Sequence, residues 1–445
     1  MFNFSPNPKN RLYTNLNSYL TFLNYILVGR LWPDSKKIDL FEQVLCERFK
    51  TDYAVCVYQC RLGIYLAIKA LTKPGQEVIL SPYTIVDVIN MVIFAGGRPV
   101  FADVDIETCN ISAAEVERLI NPNTGAVLIT HLHGLAAKAH QIKEICDRYN
   151  NIPIIEDAAQ SFGVQEQGKP VGTIGDVGVF SLEMHKNLPT FLGGVVVSNR
   201  QDVIEKIRSE LKEFSHPPLP GITQKVKKGL IHDIASLPIL FQLLTYPILR
   251  FSYLNNIEFV NSKVRRKPQE SKPAKELPDI YKSQFTSLQA SLGLSQIKNV
   301  DRNIKTRIEY AHIYYEGLKD IHGLILPPLR NDGSHTYLWF PVLYSHRDDL
   351  LKFMFEQGRD IAAGHFTSTA DSPRFEEFYR DCPNAKQVEK ELLYLPTYPS
   401  YSRREVEKNI EVIHKYFAAK ATPTIENKPR RLEIAAIQTK SACAD

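Results

Sequence analysis

The sequence predicts an α/β fold, with a large, mostly parallel sheet flanked by helices and a small C-terminal α+β domain. Between residues 38 and 197, short β-branched apolar runs alternate with amphipathic helical stretches. Several of these runs end in polar residues. Alternation of this kind is typical of parallel strands that helices cover on both faces.

The predicted strands are short apolar runs at 53–58, 77–82, 99–104, 126–131, 153–157, 178–181 and 193–199. Helical spacing is found between several of them, at 63–71, 113–120 and 140–149. In parallel sheets, ligands bind beyond the carboxyl ends of the strands. Asp105, His131 and Asp157 lie at or just past such ends, so we expect chemistry there.

The pattern divides the chain into six segments. They are an N-terminal segment (1–37), a large α/β domain (38–200), an insertion (201–277), a linking region with one long helix at 287–318 (278–318), a small α+β domain (319–418) and a tail (419–445). The tail is polar and rich in Pro and Lys, so we expect it to be disordered.

Composition excludes several classes of protein. A net charge of +5 is too mild to indicate nucleic-acid binding. Seven scattered cysteines, without a CxxC pair or zinc spacing, indicate reduced thiols in a cytoplasmic protein and no metal site. The N-terminal sequence lacks a basic stretch followed by an unbroken apolar run, so no secretory signal is expected. No apolar run of about 18 residues occurs, so no spanning helix is expected.

Four polar residues are candidates for a site, each with an ordinary alternative. Lys186 lies in a predicted loop, where a lysine is usually a solvated charge. Asp157 ends a strand in IIEDAAQ and either caps the next helix or offers a buried carboxylate to a cationic ring. Gln160 follows one helical turn later on the same face. Ser181 is either a strand-end hydroxyl or a phosphate ligand.

Five segments, in this order, resemble one known family. They are EVILSPYTIVDVINMVIFAGGRPVFADVDIETCNIS, HLHGLAAKAHQIKEICDRYNNIPIIEDAAQSFG, GTIGDVGVFSLEMHKNLPTFLGGVVVSN, SLQASLGLSQIKNVDRNIKTR and LLYLPTYPSYSRREVEKNIEVI. The chain resembles the DegT/DnrJ/EryC1/StrS aminotransferases, pyridoxal-phosphate (PLP) enzymes of fold type I that act mostly on keto-sugars of nucleotide sugars. The resemblance covers residues 38–200 and 280–418.

The resemblance assigns a role to each candidate. It implies that Lys186 binds PLP as a Schiff base and that Asp157 pairs with the protonated pyridine nitrogen. It implies that Gln160 contacts the ring and that Ser181 binds the phosphate. Tyr83, in PYT, takes the aromatic place against the ring face, with a core aromatic as the alternative. His365, in GHFTS, takes a substrate-side position, with a structural turn histidine as the alternative.

The chain departs from the family's pattern at three places. Gln59-Cys60-Arg61 replaces Ser-Gly-Thr at the start of the helix that, by the resemblance, binds the phosphate. Cys60 then contributes a backbone N–H at this helix start, and Arg61 offers a charged phosphate contact, with a side chain that points to solvent as the alternative. The glycine-rich run after the lysine is Asn187 to Leu192, which indicates a more hydrophobic substrate site. Lys282 replaces an asparagine that reaches the partner subunit's phosphate, where a lysine serves as a point charge.

The function expected from the resemblance is transamination. Glutamate donates an amino group to a keto-sugar, expected to be nucleotide-linked, in the biosynthesis of an amino sugar for a polysaccharide or secondary metabolite. A homodimer with its site at the subunit interface is implied. Two alternatives stay open: a PLP-dependent keto-sugar dehydratase or deoxygenase, whose family members replace the lysine by histidine, and a non-enzymatic regulatory protein.

The insertion contains a strongly apolar stretch at 229–254, broken by Pro238 and Pro247 and flanked by the basic runs KVKK and VRRK. One interpretation is helical packing at a dimer interface or over the mouth of the active site. The other is a peripheral contact with the inner face of a membrane, through a basic-flanked apolar element in the interface. That second interpretation suits an amphiphilic substrate.

Overall fold

The computed structural model describes residues 6–14, 16–27, 35–257, 276–364 and 366–421. His365, predicted at the substrate site, and most of the predicted tail lie outside the described residues. The strands of the large domain are β1 (Tyr53–Val57), β2 (Glu77–Leu80), β3 (Tyr83–Thr84), β4 (Arg98–Phe101), β5 (Thr124–Thr130), β6 (Ile154–Asp157), β7 (Gln165–Glu166), β8 (Lys169–Pro170), β9 (Val177–Ser181) and β10 (Gly194–Ser198).

The large sheet has the order β1-β10-β9-β6-β5-β2-β4. The pairs from β9 through β6, β5 and β2 to β4 are parallel, and β10 is antiparallel to both of its neighbours. The central strands are buried along their whole length, because helices cover both faces. The predicted α/β class with a mostly parallel sheet is thereby confirmed.

Helices connect the strands of the large domain and continue through the rest of the chain. Those up to the insertion are α1 (Leu16–Leu27), α2 (Ser35–Phe49), α3 (Cys60–Leu71), α4 (Val86–Phe94), α5 (Ala113–Leu119), α6 (Ala139–Arg148) and α7 (Gln201–Lys212). The later helices are α8 (Leu219–Ala235), α9 (Pro238–Leu254), α10 (Ser287–Gln296), α11 (Val300–Leu318), α12 (Arg347–Glu356), α13 (Pro383–Glu391) and α14 (Arg403–Ala421). Short 3₁₀ turns lie at Leu132–Gly134, Asp279–Tyr281, Ile297–Asn299 and Pro373–Phe378.

The C-terminal domain is α+β, as predicted. Its sheet has the order β11-β12-β15-β13, formed by β11 (Leu324–Ile325), β12 (Phe340–Tyr344), β13 (Ala362–Ala363) and β15 (Leu392–Leu395). One further strand, β14 (Thr367–Ser368), pairs with β3 of the large domain. The two domains therefore share backbone hydrogen bonds close to Tyr83.

Two predicted boundaries are wrong. The single long helix at 287–318 is two helices, because the 3₁₀ turn Ile297–Asn299 interrupts it. Separate contacts hold the two sides of this turn: Gln296 donates from Nε2 to the Pro189 carbonyl at 2.8 Å, and Asp301 pairs with Arg48. The last helix extends to Ala421 rather than ending before the tail at 419.

The described residues of the predicted insertion, 201–257 and 276–277, contain three helices with different surroundings. Helix α7 packs into the core of the large domain through Val203, Ile204 and Ile207. Helices α8 and α9 are bent by 71° relative to each other at the break before Pro238. Proline at the first position of a helix is favourable, since its missing N–H would have no partner there. Helix α8 lies against the loop that contains Lys186.

Candidate active site

One cleft lies where β6 and β9 end and α3 begins. It is lined by Gln59, Cys60, Arg61, Ile64, Ile85, Val88, Asp157, Ala159, Ser181, Glu183, Lys186, Leu192, Gly193 and Lys225. Five residues predicted from the sequence meet here: Cys60, Arg61, Asp157, Ser181 and Lys186. The strands are parallel at this edge, so their carboxyl ends deliver side chains to one place.

Lys186 is held in a closed loop between β9 and β10. The loop is fastened at its base, because the Leu182 N–H donates to the Gly193 carbonyl at 2.9 Å and the Thr190 N–H donates to the Leu182 carbonyl at 2.8 Å. The Lys186 N–H itself donates to the Glu183 carbonyl at 3.0 Å. The lysine therefore reaches the cleft from a backbone with a defined shape.

Phe191 occupies the part of this loop where the sequence departs from the family's glycine-rich pattern. Its φ is +65°, in the left-handed region that favours glycine, at a cost of about 1–3 kcal/mol. Its ring is buried in a cluster with Ile222 and Val226 of α8 and with Leu288 and Leu292 of α10. Burial of this aromatic ring offsets the strain, so the insertion and α10 fix the shape of the lysine loop.

Asp157 and its neighbour Glu156 point to opposite faces of the sheet, as successive strand residues do. Asp157 lines the cleft, and its Oδ1 accepts a hydrogen bond from the Ala159 N–H at 3.1 Å. Burial raises its pKa, against the lowering effect of that N–H and of the Lys186 charge. A buried carboxylate of this kind fits a cationic group placed in the cleft.

Glu156 has a structural role on the other face. It accepts hydrogen bonds from the Gly172, Ile174 and Gly175 N–H groups and contacts the His131 ring at 3.0 Å. His131 is therefore absent from the cleft lining, although it lies at a strand end. Asp105, another strand-end residue, pairs with Lys138 at 2.9 Å at the surface.

The start of α3 faces the cleft. No side chain caps this helix at Gln59, so its first backbone N–H groups are suited to an anion. Gly194 allows β10 to approach the helix closely, because a Cβ there would lie 2.7 Å from the Cys60 nitrogen. Ser181, also at the cleft, adds a hydroxyl to these donors.

Arg61 was predicted to contact a phosphate, but its guanidinium is already engaged. It pairs with Asp87, and Nη1 also donates to the Tyr281 hydroxyl at 3.3 Å. The side chain is thus held at the rim of the cleft by α4 and by the 3₁₀ turn before α10. Its direct use as a phosphate ligand stays a prediction.

Two charged residues of the cleft were not predicted from the sequence. Glu183 precedes Lys186 in the same loop, and Lys225 comes from α8; their side chains pair at 3.3 Å. Burial raises the pKa of Glu183, but Lys225, Lys186 and Arg61 outweigh it, so the pKa is lowered and the carboxylate stays ionised. The only sequence signal for Lys225 was the basic run KVKK, which has no pattern specific to a site.

Three predicted residues do not line the cleft. Gln160 is buried, and its Oε1 accepts a hydrogen bond from the His133 N–H at 2.8 Å. Its amide nitrogen is therefore the group with which it could donate to a ligand. Tyr83 is fully buried, and its ring lies edge-on to that of Phe366 with centroids 5.7 Å apart. This position corresponds to the alternative of a core aromatic residue. Lys282 is partly exposed and pairs with Asp279 at 2.9 Å.

Comparison with known proteins agrees with this architecture. A sequence model of the DegT/DnrJ/EryC1/StrS aminotransferase family matches residues 20–229 and 259–414. The spore coat polysaccharide biosynthesis protein SpsC of Bacillus subtilis is 28% identical over 388 residues, covering 85% of this chain and 88% of that protein. The GDP-perosamine synthase of Vibrio cholerae is 27% identical over 397 residues, covering 87% and 93%.

A solved structure supports the fold. The aminotransferase from Psychrobacter cryohalolentis superposes with a TM-score of 0.72 at 20% identity, covering 93% of this chain and 99% of that chain. At this identity the likeness concerns the fold, and it confirms the predicted arrangement of a large α/β domain with a small C-terminal domain.

Proposed function

The chain belongs to the DegT/DnrJ/EryC1/StrS aminotransferase family, whose cofactor is PLP, and we propose that it moves an amino group from glutamate to a nucleotide-linked keto-sugar. The observation that carries the proposal is the convergence of Lys186, Asp157 and the start of α3 on one cleft. An amine, a buried carboxylate and an anion-binding helix terminus are what the cofactor's aldehyde, ring nitrogen and phosphate need.

Each of these residues has a task that follows from its position. Lys186 would hold the cofactor's aldehyde through Nζ, and its amine would move a proton at the substrate's Cα. Asp157 keeps the ring nitrogen protonated, because its buried carboxylate needs a cationic partner. Ser181 and the first N–H groups of α3 hold the phosphate. PLP, when bound, supplies an electron sink for the substrate carbon.

The wall of the cleft supports this chemistry by limiting water. Ile64, Ile85, Val88 and Leu192 line it with apolar side chains. These side chains limit the access of water to the amine of Lys186, so a proton that it accepts stays within the site. Leu192 stands where the family commonly has an acidic residue, so we propose that the acceptor presents an apolar group there.

We propose that the enzyme is a cytoplasmic homodimer with its sites at the subunit interface. Two observations support this. Lys282 is partly exposed and adjacent to Tyr281, which contacts Arg61 at the cleft rim, so a second copy would find a cation there. The six cysteines in the described part of the chain are free thiols, as in a reducing compartment.

The proposal is tested by following the visible absorbance of the purified PLP-loaded enzyme. Glutamate alone should bleach the band in one turnover. A nucleotide-linked keto-sugar should then restore the band, and the sugar should gain an amino group. If glutamate leaves the band unchanged and the sugar product has lost a hydroxyl, the enzyme is a dehydratase rather than a transaminase. Protein that never takes up PLP would favour the regulatory alternative.

A further inference from the structure

Helices α8 and α9, with a residue that joins them, expose nine large aliphatic and aromatic side chains, which we call the apolar face. It consists of Leu230, Ile231, Ile234, Leu237, Ile239, Leu243, Leu244, Ile248 and Phe251, with between 42% and 76% of each residue exposed. Isolated exposed apolar residues are ordinary, but a concentrated set indicates an interaction surface. These residues also fall between the two stretches that the family's sequence model matches.

The opposite side of α9 is firmly packed. Tyr246 and Tyr253 stack on Phe355 of the C-terminal domain with centroids 6.0 and 4.6 Å apart, and the Tyr246 hydroxyl donates to the Phe355 carbonyl at 2.8 Å. Arg250 donates to the same carbonyl from Nε at 3.2 Å. Tyr246 and Tyr253 thus hold the helix on the C-terminal domain. Leu249 and Leu254 pack partly against the same core, whereas the large aliphatic residues of the apolar face are exposed.

We propose that the apolar face docks on the surface of an anionic lipid bilayer. Its members are Leu, Ile and Phe, which carry no hydrogen-bonding group, while the tyrosines of the same helix are turned inward. Energetically dominant residues of protein–protein interfaces are enriched in Trp, Tyr and Arg, with Leu under-represented. A surface without side-chain donors or acceptors suits hydrocarbon better than a protein partner.

The charges around the face favour anionic lipid. Lys227 and Lys228 are exposed on α8, three and two residues before Leu230, where the face begins. The single acidic residue of both helices, Asp233, is occupied by hydrogen bonds from the Thr14 and Tyr19 hydroxyls, the latter at 2.6 Å. A cationic border beside an apolar face is the arrangement of helices that lie in a membrane interface.

The geometry favours lying on the bilayer over crossing it. Helix α8 has 17 residues, and the bend of 71° separates it from α9. Crossing requires about 20 consecutive apolar residues in one helix, and no single helix of the described chain is long and apolar enough to span. Helix α1, joined to α8 through Tyr19 and Asp233, also exposes four leucines: Leu16, Leu20, Leu23 and Leu27.

Helix α8 joins the membrane-facing surface to the catalytic cleft. Lys225 lines the cleft, and Ile231 in the apolar face follows six residues later, roughly 9 Å along the helix axis. Docking therefore fixes the mouth of the cleft near the lipid surface. Such docking is independent of the proposed transamination.

Cosedimentation of the purified full-length enzyme with vesicles tests the proposal. We expect binding to phosphatidylcholine vesicles that contain phosphatidylglycerol and much weaker binding to phosphatidylcholine alone. Phe251→Glu should lower the partition coefficient at least about tenfold, because one large apolar side chain that would enter the lipid is replaced by a charge. Tyr379→Glu is the matched control, since Tyr379 is 60% exposed, against 63% for Phe251, on a different surface element. Lys227→Gln with Lys228→Gln should reduce binding to the anionic vesicles only.

Two results would overturn the proposal. One is equal partition of the wild type and Phe251→Glu. The other is a wild type that binds no vesicles, combined with a Phe251→Glu variant whose mass by light scattering falls to that of a monomer. In that case the apolar face would contact a second copy of the chain instead of lipid. Ile239→Glu, at 76% exposure, repeats the test if Phe251→Glu unfolds. Transaminase activity on a soluble keto-sugar should persist in these variants, so loss of docking and failure of the proposed chemistry are distinguishable.

Discussion

Two clusters of buried charge in this chain are built in opposite ways. In the C-terminal domain, Arg359 is closed in by partners: Nε donates to the Asn409 Oδ1 at 2.6 Å, Nη1 to the Glu405 Oε2 at 2.6 Å, and Nη2 to the Tyr401 hydroxyl at 2.7 Å. In the cleft of the large domain, the Asp157 carboxylate accepts one hydrogen bond from the Ala159 N–H and is otherwise near Lys186.

The pKa values report the same difference. Burial raises the pKa of Glu405, but Arg359 and its other partners outweigh burial, so the pKa is lowered. For Asp157 burial prevails and the pKa is raised. A carboxylate whose charge is satisfied within the protein stabilises the fold, whereas one that is left short of partners is prepared for a ligand. Substitutions in the two clusters should therefore act on different properties.

The largest effect is expected at Lys186. Lys186→Ala should lower transaminase turnover by about 10²–10⁴-fold through loss of the proton-transferring amine, and further through loss of the covalent link to the cofactor. The free energy of urea unfolding should change little, because the residue lies in a cleft rather than in the core. Lys186→Arg should be equally inactive, since a guanidinium stays protonated. Wild-type turnover in either variant would refute the assignment.

Arg359→Met should have the reverse effect. It leaves Glu405 buried without its main partner, so we expect a loss of about 3–5 kcal/mol in the free energy of unfolding. Turnover per folded molecule should stay at the wild-type level. The double variant Arg359→Met with Glu405→Leu should recover much of the stability. If the double variant stays as unstable as Arg359→Met, the unpaired charge of Glu405 is not the cause of the lost stability.

Asp157→Asn should stabilise the cofactor-free protein by about 0.5–2 kcal/mol, the range of single stabilising substitutions, while it impairs turnover. The sign follows from the raised pKa: the cost of the charge is fully present above the folded-state pKa and disappears as the pH falls towards the unfolded value of about 3.9. Urea unfolding at neutral and acidic pH should show the gain shrinking as the pH falls. Glu405→Gln should destabilise at neutral pH instead.

The smallest effect is expected at Lys225. Its pair with Glu183 is partly exposed, so Lys225→Met should change the Michaelis constant of the sugar by up to about fivefold and leave the unfolding free energy nearly unchanged. Lys227→Met, an exposed lysine of the same helix outside the cleft lining, is the control in lipid-free buffer. Equal kinetic effects of the two substitutions would exclude a role for Lys225 in the cleft.

The sequence predicted the strands of the large sheet, because short apolar runs are local features. The meeting of Asp157, Ser181 and Lys186 was implied by the family resemblance, since strand ends alone also pointed to Asp105 and His131, which do not line the cleft. The Glu183–Lys225 pair was out of reach, since it joins residues 42 positions apart through the packing of α8 on the lysine loop. The depth of Tyr83 was equally inaccessible, because it depends on pairing with Ser368 of the other domain. Tertiary contacts, rather than local pattern, decide both features.

The role of Lys186 is tested most directly by borohydride reduction of the PLP-loaded enzyme, followed by digestion and mass spectrometry. The peptide that contains Lys186 should gain the mass of the reduced cofactor. Lys225, the other lysine that lines the cleft, should stay unmodified. Cofactor found on Lys225 or on no lysine, with Lys186 unmodified, would contradict the assignment of Lys186 as the residue that holds PLP.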